Sequence, residues 1–202
     1  MSSRIPMLVA AGLIAGGLAA LAIGKFMPSS QIPAGTSVQS GKALVGGAFK
    51  LTDHTGKRVT EKDFLGRYML VFFGFTHCPD ICPSALQVMS AALDKLGDKA
   101  KDVTPVFISL DGARDTPEKL ADYLKSFGDR FVGLTGSKDE LAAAAKAYRV
   151  YYQIVPDDKV AGEYTIDHAA IIYLMGKDGA FVTHVPHTND VNTVVSVLSK
   201  AL

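Results

Sequence analysis

The chain has 202 residues, with 21 lysines and arginines, 20 aspartates and glutamates, and a formal net charge of +1 at pH 7. Because charges of both signs are interspersed and nearly cancel, the sequence offers no basic surface for nucleic acid, and we expect no nucleic-acid partner. The stretch 45–202 is long enough to form one domain with a substantial apolar core.

The N-terminal segment carries no charge between Arg4 and Lys25. As a helix, this apolar stretch would span roughly 28 Å, close to the hydrocarbon thickness of a bilayer. We therefore predict a membrane anchor with one transmembrane helix over residues 1–26. The alternative is a signal peptide, because residues 20–22 read Ala-Leu-Ala, an A-x-A cleavage pattern. Residues 27–44 are small, polar and without periodicity, which predicts a flexible tether.

The spacing of apolar residues after the tether predicts strands alternating with helices. This order is typical of a sheet covered by helices on both faces. The predicted fold is therefore α/β and thioredoxin-like, with an N-terminal β-hairpin, and is preceded by the transmembrane helix. In chain order, the predicted elements are a hairpin at 49–52 and 58–60, a strand at 68–75, a helix from 83 to about 97, a strand at 103–110, a helix from 115, a strand at 131–134, a helix at 138–148, a hairpin at 170–175 and 180–184, and a helix from about 189.

Cys78 and Cys82 are the only cysteines, and they lie at the turn between the strand at 68–75 and the following helix. Pro83 disfavours helical geometry in the residue before it, so we expect the helix to start at Pro83 with Cys82 as its cap. Both sulfurs then lie near a helix N-terminus, whose partial positive charge favours thiolate. Three interpretations follow: a structural disulfide, a catalytic dithiol, or a site for a soft metal ion.

A metal site needs a third ligand, and His168 is the best candidate. It precedes the predicted strand at 170–175, and in a thioredoxin-like sheet the loop entering that strand lies opposite the cysteine loop. Two thiolates and one imidazole suit Cu(I), and they hold Cu(II) if a further ligand joins, whereas a closed zinc site needs a fourth ligand. Asp167 is either a partner that orients His168 or an exposed residue.

The other histidines and the acid inside the cysteine loop are less favoured as ligands. We interpret His77 as a surface residue or an indirect neighbour of the site, and Asp80 as a solvated turn residue. His54 lies in the predicted hairpin turn and is expected to be solvated. His184 and His187 come late in the chain, and we expect a structural or solvated role for both.

Three motifs resemble those of the SCO/SenC family. The first is residues 74–83, which read Gly-Phe-Thr-His-Cys-Pro-Asp-Ile-Cys-Pro. The second joins residues 109–111, Ser-Leu-Asp, to residues 114–117, Arg-Asp-Thr-Pro, and the third is Asp-His at 167–168. The resemblance covers residues 47–202, and a membrane anchor followed by a tether also fits this family.

The resemblance implies a membrane-anchored copper chaperone that assists assembly of the CuA centre of cytochrome c oxidase. The family's copper ligands carry over to Cys78, Cys82 and His168, and binding of Cu(I) or Cu(II) is then gated by the redox state of the thiols. The implied partners are the oxidase subunit that carries the CuA site, an upstream copper donor protein and the membrane. The rival is a thiol:disulfide oxidoreductase that keeps the oxidase copper-site cysteines reduced, with Cys78 and Cys82 as its redox-active pair.

The short N-terminal segment favours a bacterial protein over a mitochondrial one. We accordingly expect the anchor in the bacterial inner membrane and the soluble domain in the periplasm. The mitochondrial inner membrane is the less favoured location.

Overall fold

The computed structural model describes residues 44–157 and 160–202, and within them nine strands and four helices follow one another. Short 3₁₀ helices lie at Glu61–Phe64, Gly97–Ala100 and Lys125–Phe127. The strands are β1 Lys50–Asp53, β2 Arg58–Thr60, β3 Tyr68–Gly74, β4 Val103–Ser109, β5 Val132–Thr135, β6 Tyr152–Pro156, β7 Tyr164–His168, β8 Ile171–Met175 and β9 Phe181–Pro186. The helices are α1 Ile81–Leu96, α2 Pro117–Leu124, α3 Lys138–Ala147 and α4 Val191–Ala201.

Seven of these strands form one sheet in the order β2-β1-β5-β4-β3-β8-β9. Its centre is parallel, because β4 runs parallel to both β3 and β5, while β1, β8 and β9 pair antiparallel with their neighbours. Every residue of β3 from Met69 to Gly74 is buried, as expected of a central strand covered on both faces. This mixed sheet with its parallel centre confirms the predicted α/β, thioredoxin-like fold.

The predicted strands and helices agree with the observed bounds to within two residues, and local hydrogen bonds explain where the helices begin. The Thr116 hydroxyl accepts from the backbone N–H of Lys119 at 3.3 Å, which caps α2. The Asp190 carboxyl caps α4 in the same way, by accepting from the backbone N–H of Asn192 at 2.9 Å. Both caps satisfy donors that the first turn of a helix leaves free.

The interpretation of the segment before β8 as a loop was wrong. β6 and β7 pair with each other as a separate two-stranded antiparallel sheet, and His168 is the last residue of β7. β6 escaped prediction because four of its five residues are exposed, so it shows no alternation of apolar and polar positions. Part of the turn between the two strands, at 158–159, lies outside the described residues.

The predicted anchor at 1–26 and the predicted tether, apart from its last residue, lie outside the described residues. Among residues 44–157 and 160–202, no helix is both long enough and apolar enough to cross a membrane.

Candidate metal-binding site

The cysteine loop connects the carboxyl end of β3 to α1. The Cys78 side chain is half-buried and the Cys82 side chain is fully buried, and both are free thiols. The backbone N–H of Cys82 donates to Cys78 Sγ at 3.3 Å, while the backbone N–H of Cys78 donates to the Phe75 carbonyl at 3.3 Å. The loop therefore turns back on itself and brings Cys78 over the first turn of α1.

The prediction that Cys82 caps a helix starting at Pro83 was wrong. α1 begins at Ile81, so Cys82 and Pro83 are its second and third residues and Asp80 is its cap. Proline is tolerated there because first-turn N–H groups have no partner within the helix. The free N–H of Cys82 is instead used by Cys78 Sγ, which ties the two cysteines together.

The imidazole of His168 meets the cysteine pair at Cys82. His168 Nε2 lies 3.6 Å from Cys82 Sγ, and the rings of Phe72 and Phe75 stand edge-on to the imidazole with centroids 6.0 and 6.1 Å away. His168 Nδ1 lies 3.3 Å from the Ala169 carbonyl, which can only accept. In the neutral ring Nδ1 then carries the hydrogen, and the lone pair of Nε2 faces the sulfur.

The two thiols have opposite pKa shifts. The hydrogen bond from Cys82 lowers the pKa of the Cys78 thiol from 9.0 to about 5, against the opposing effect of burial. Backbone N–H groups of Cys82 and Asp80 and the nearby His168 lower it further. The same hydrogen bond and burial raise the pKa of the Cys82 thiol. Cys78 is therefore the thiolate of the pair at neutral pH, and Cys82 keeps its proton until a metal ion or a base displaces it.

We expect one thiol to ionise near pH 5 in the folded, reduced protein, and Cys82→Ala to move this ionisation toward pH 9. The ultraviolet absorbance of thiolate during a pH titration measures both. The folded-state pKa lies below the unfolded one, so ionisation of Cys78 stabilises the fold as pH rises from about 5, and this contribution is lost as pH falls through that value. An ionisation that Cys82→Ala leaves unchanged would show that Cys82 is not the cause.

Gly74, the last residue of β3, makes room for the buried sulfur. A Cβ atom at this position would lie 2.7 Å from Cys82 Sγ and 2.9 Å from the ring of Phe107, closer than such atoms pack. In the sequence, Gly74 is only the first residue of a motif, and nothing there indicates why it is glycine. The structure gives the reason, because any larger residue at the end of β3 would collide with Cys82 Sγ.

Asp115 fixes the other end of the cysteine loop, whereas the sequence places it only in the second family motif and at the start of a helix. Its side chain is fully buried. It accepts from the backbone N–H and hydroxyl of Thr76, at 3.0 and 2.6 Å, and from the hydroxyl of Ser109 at 2.7 Å. Because Thr76 lies two residues before Cys78, the loop after β4 holds the loop after β3 in place. The available signal in the sequence was that Thr76 belongs to the first family motif, while Ser109 and Asp115 belong to the second.

Most of the less favoured candidates lie as expected. His77 and Asp80 are exposed, and so is Asp167, which leaves His168 to be oriented by the Ala169 carbonyl. His54 is not merely solvated, because its Nδ1 accepts from the backbone N–H of Gly133 at 3.1 Å. The expectation for His54 was therefore wrong.

The two late histidines belong to the far edge of the main sheet. His184 is exposed and stacks on Phe181 with ring centroids 6.1 Å apart. His187 donates its backbone N–H to the Ala170 carbonyl at 2.9 Å, and its buried Nδ1 has no hydrogen-bond partner among the described residues. Among the described residues, the interactions of these two histidines do not include either cysteine.

Cys82 lies between the other two candidate ligands, which do not yet form a closed set. Within residues 44–157 and 160–202, no three His, Cys, Asp or Glu side chains are grouped closely enough to hold a metal ion as they stand. The chemistry nevertheless fits a soft metal ion: one thiolate, one thiol that can ionise, and one imidazole lone pair. Closing the site requires Cys78 and His168 to converge about Cys82.

The sequence pattern of SCO1/SenC proteins matches residues 37–202, which include all three motifs. The chain belongs to the SCO1/SenC family. This confirms the resemblance on which the predicted ligand set rests. The cysteine pair, the Asp115 loop and His168 are thus the three motifs of this family member brought to one edge of its sheet.

Relatives with known sequences or structures are similar over the folded part of this SCO1/SenC protein. The human mitochondrial SCO1 homolog is 49% identical over 146 residues, which are 71% of this chain and 48% of the human protein. The copper-bound crystal structure of Arabidopsis thaliana ScoI is 41% identical, with a TM-score of 0.73, and covers 78% of this chain and 97% of that one. The copper-bound structure of Bradyrhizobium japonicum ScoI is 43% identical, with a TM-score of 0.71, covering 78% and 99%. The chain spans about half the length of the curated relatives it matches.

Proposed function

We propose that this SCO1/SenC protein binds copper through Cys78, Cys82 and His168 and delivers it during assembly of the CuA centre of cytochrome c oxidase. The observation that carries the proposal is the 3.6 Å approach of His168 Nε2 to Cys82 Sγ, together with the Cys78 sulfur that lies 3.3 Å from the Cys82 backbone nitrogen. Copper is bound in two relatives that share this fold at above 40% identity. Copper is the cargo here, taken from a donor protein and passed to the oxidase subunit.

The geometry supports a sequence of ligand changes. The Cys78 thiolate is half-exposed and offers the first contact for Cu(I), because it is the cysteine that is ionised and accessible. Binding then displaces the proton of Cys82, whose buried sulfur lies between the other ligands, and His168 supplies the third arm through Nε2. Because Cys78 stays accessible, a cysteine of the acceptor can replace it first and release copper stepwise. Oxidation of the pair to a disulfide removes two ligands and ends strong binding.

We further propose where the protein is located. Residues 1–26 anchor the protein in the membrane and residues 27–44 tether the domain to it, with the bacterial inner membrane and the periplasm as the proposed site. Curated relatives include mitochondrial proteins, and one solved relative is from Bradyrhizobium japonicum, so the family includes proteins from both settings. Membrane fractionation of the full chain, with protease added from either side, tests the anchor and its orientation.

The test of the copper site is titration of the reduced full chain, in detergent, with Cu(I) and with Cu(II). We expect one equivalent of each, and we expect His168→Ala to weaken Cu(II) binding about 100-fold, because Cu(II) depends more on imidazole nitrogen than Cu(I) does. His184→Ala is the matched control, since it removes an exposed histidine of β9. Equal Cu(II) affinity in His168→Ala and wild type would contradict the ligand set.

The thiol pair also supports a second function, reduction of the oxidase copper-site cysteines. A half-exposed cysteine with a pKa near 5 next to a buried thiol with a raised pKa is the arrangement of an attacking and a resolving cysteine. The rate of exchange with oxidised glutathione separates the two functions. A thiol:disulfide oxidoreductase exchanges rapidly and ignores His168→Ala, whereas a copper carrier loses copper affinity in that variant.

A further inference from the structure

The small sheet of β6 and β7 carries His168 but, in the part of the chain that is described, pairs with no strand of the main sheet. Along β7 the burial alternates, so that Tyr164, Ile166 and His168 face the domain while Thr165 and Asp167 are exposed. Residues that alternate along a strand share one face, and four residues of strand cover about 13 Å. The contacts that hold Tyr164 against the domain therefore also determine the position of His168, at the other end of the same strand face.

Tyr164 is held by Arg114, from the loop between β4 and α2. The guanidinium lies over the Tyr164 ring, with its carbon 3.7 Å from the centroid, and Arg114 Nη1 donates to the Tyr164 carbonyl at 3.0 Å. Arg114 Nε donates to Asp111 at 2.5 Å, and the Tyr164 hydroxyl donates to the same carboxyl at 2.7 Å. Asp111 is almost fully buried, and these contacts hold the three side chains together.

The same loop also holds the cysteine side of the site. Asp115, the residue after Arg114, binds Thr76 through two hydrogen bonds at the start of the cysteine loop. One short segment, 111–115, is thus bonded to the loop that carries Cys78 and to the strand that carries His168. This segment is the structural link between the two arms that must converge to close the site.

We propose that Arg114 and Tyr164 are positioning residues, which set the reach of the His168 imidazole toward the cysteine pair. The inference rests on the proposed copper function. Lysine cannot replace Arg114, because a single ammonium group cannot donate to Asp111 and to the Tyr164 carbonyl while also lying flat on the ring. Loss of the group lets β7 shift at Tyr164 and moves the imidazole away from Cys82.

The experiment measures Cu(II) affinity and the electron paramagnetic resonance spectrum of the full chain, beginning with wild type, Arg114→Lys, His168→Ala and the double variant. We expect Arg114→Lys to lower Cu(II) affinity about tenfold and to weaken the coupling of copper to imidazole nitrogen. In the His168→Ala background the same change is expected to have no further effect, because the arm that it positions is gone. Tyr164→Phe, which loses only the hydroxyl, is expected to show a smaller loss of the same kind.

Arg58→Lys is the matched control, because Arg58 on the edge strand β2 also bridges several partners, Glu140, Thr52 and the Lys50 carbonyl, none of which belongs to the group of Asp111, Arg114 and Tyr164. We expect it to leave the affinity and the nitrogen coupling unchanged. If wild type binds copper and His168→Ala weakens it, but Arg114→Lys behaves as wild type or adds to His168→Ala, the positioning role is overturned while the copper function stands. If wild type itself binds no copper, the proposed function is overturned with it.

Discussion

Serine in place of Cys82 is expected to abolish tight Cu(I) binding while leaving the fold in place. Cys82 lies between the other two candidate ligands: its backbone N–H is hydrogen-bonded to Cys78 Sγ, and its own Sγ lies 3.6 Å from His168 Nε2. Its loss therefore removes the central one of the three ligands. A hydroxyl is a hard, weakly acidic ligand that Cu(I) does not favour. We expect the affinity to fall by about a thousandfold or more, about 4 kcal/mol, in a competition titration with a Cu(I) chelator.

The serine hydroxyl can still donate to Cys78, so the lowered pKa of that thiol is expected to survive the change. This separates the loss of a copper ligand from the loss of a hydrogen-bond donor to Cys78, because Cys82→Ala removes both at once. Ala85→Ser is the control for a new buried hydroxyl, because Ala85 is also buried in the first part of α1. Retention of tight Cu(I) binding by Cys82→Ser would mean that Cys82 is not a ligand and that the copper site lies elsewhere in the protein.

The sequence was sufficient to predict the main sheet and its helices because their apolar residues recur with clear periods. A continuous apolar run such as β3 predicts a strand at the centre of a sheet that is covered on both faces, and capping residues such as Thr116 mark where helices begin. The candidate ligands were also accessible to prediction, since Cys78 and Cys82 are the only cysteines and His168 precedes a central strand. Family resemblance then joined these residues into one proposed site.

The rest of the site depends on contacts that no periodicity records. β6 is mostly exposed and shows no alternation, and β7 alternates over only five residues, so the strand that carries His168 was interpreted as a loop. Asp115 resembles an ordinary helix-opening acid until the fold brings Thr76 beside it. The start of α1 was misplaced because the general effect of Pro83 on its neighbour was outweighed by the hydrogen bond from the Cys82 N–H to Cys78.

Alanine in place of Asp115 is expected to damage both stability and the copper site. The change leaves the backbone N–H and hydroxyl of Thr76 and the hydroxyl of Ser109 without their acceptor in a buried place. Each unsatisfied buried group costs about 1–3 kcal/mol, and water entering the new space offsets part of this, so we expect a net loss of roughly 3 kcal/mol in denaturant unfolding. The cysteine loop, released at Thr76, is also expected to bind copper more weakly.

Asp63→Ala separates burial from hydrogen-bond count. Asp63 accepts from the backbone N–H and hydroxyl of Thr60, at 2.8 and 3.0 Å, which is the pattern that Asp115 makes with Thr76, but Asp63 is exposed. Water replaces the lost acceptor at Thr60, so we expect a much smaller loss of stability than in Asp115→Ala, and unchanged copper affinity. Equal losses in the two variants would mean that burial adds nothing to the contribution of the Asp115 hydrogen bonds. A larger loss confined to Asp115, together with weaker copper binding, would identify it as the support of the cysteine loop.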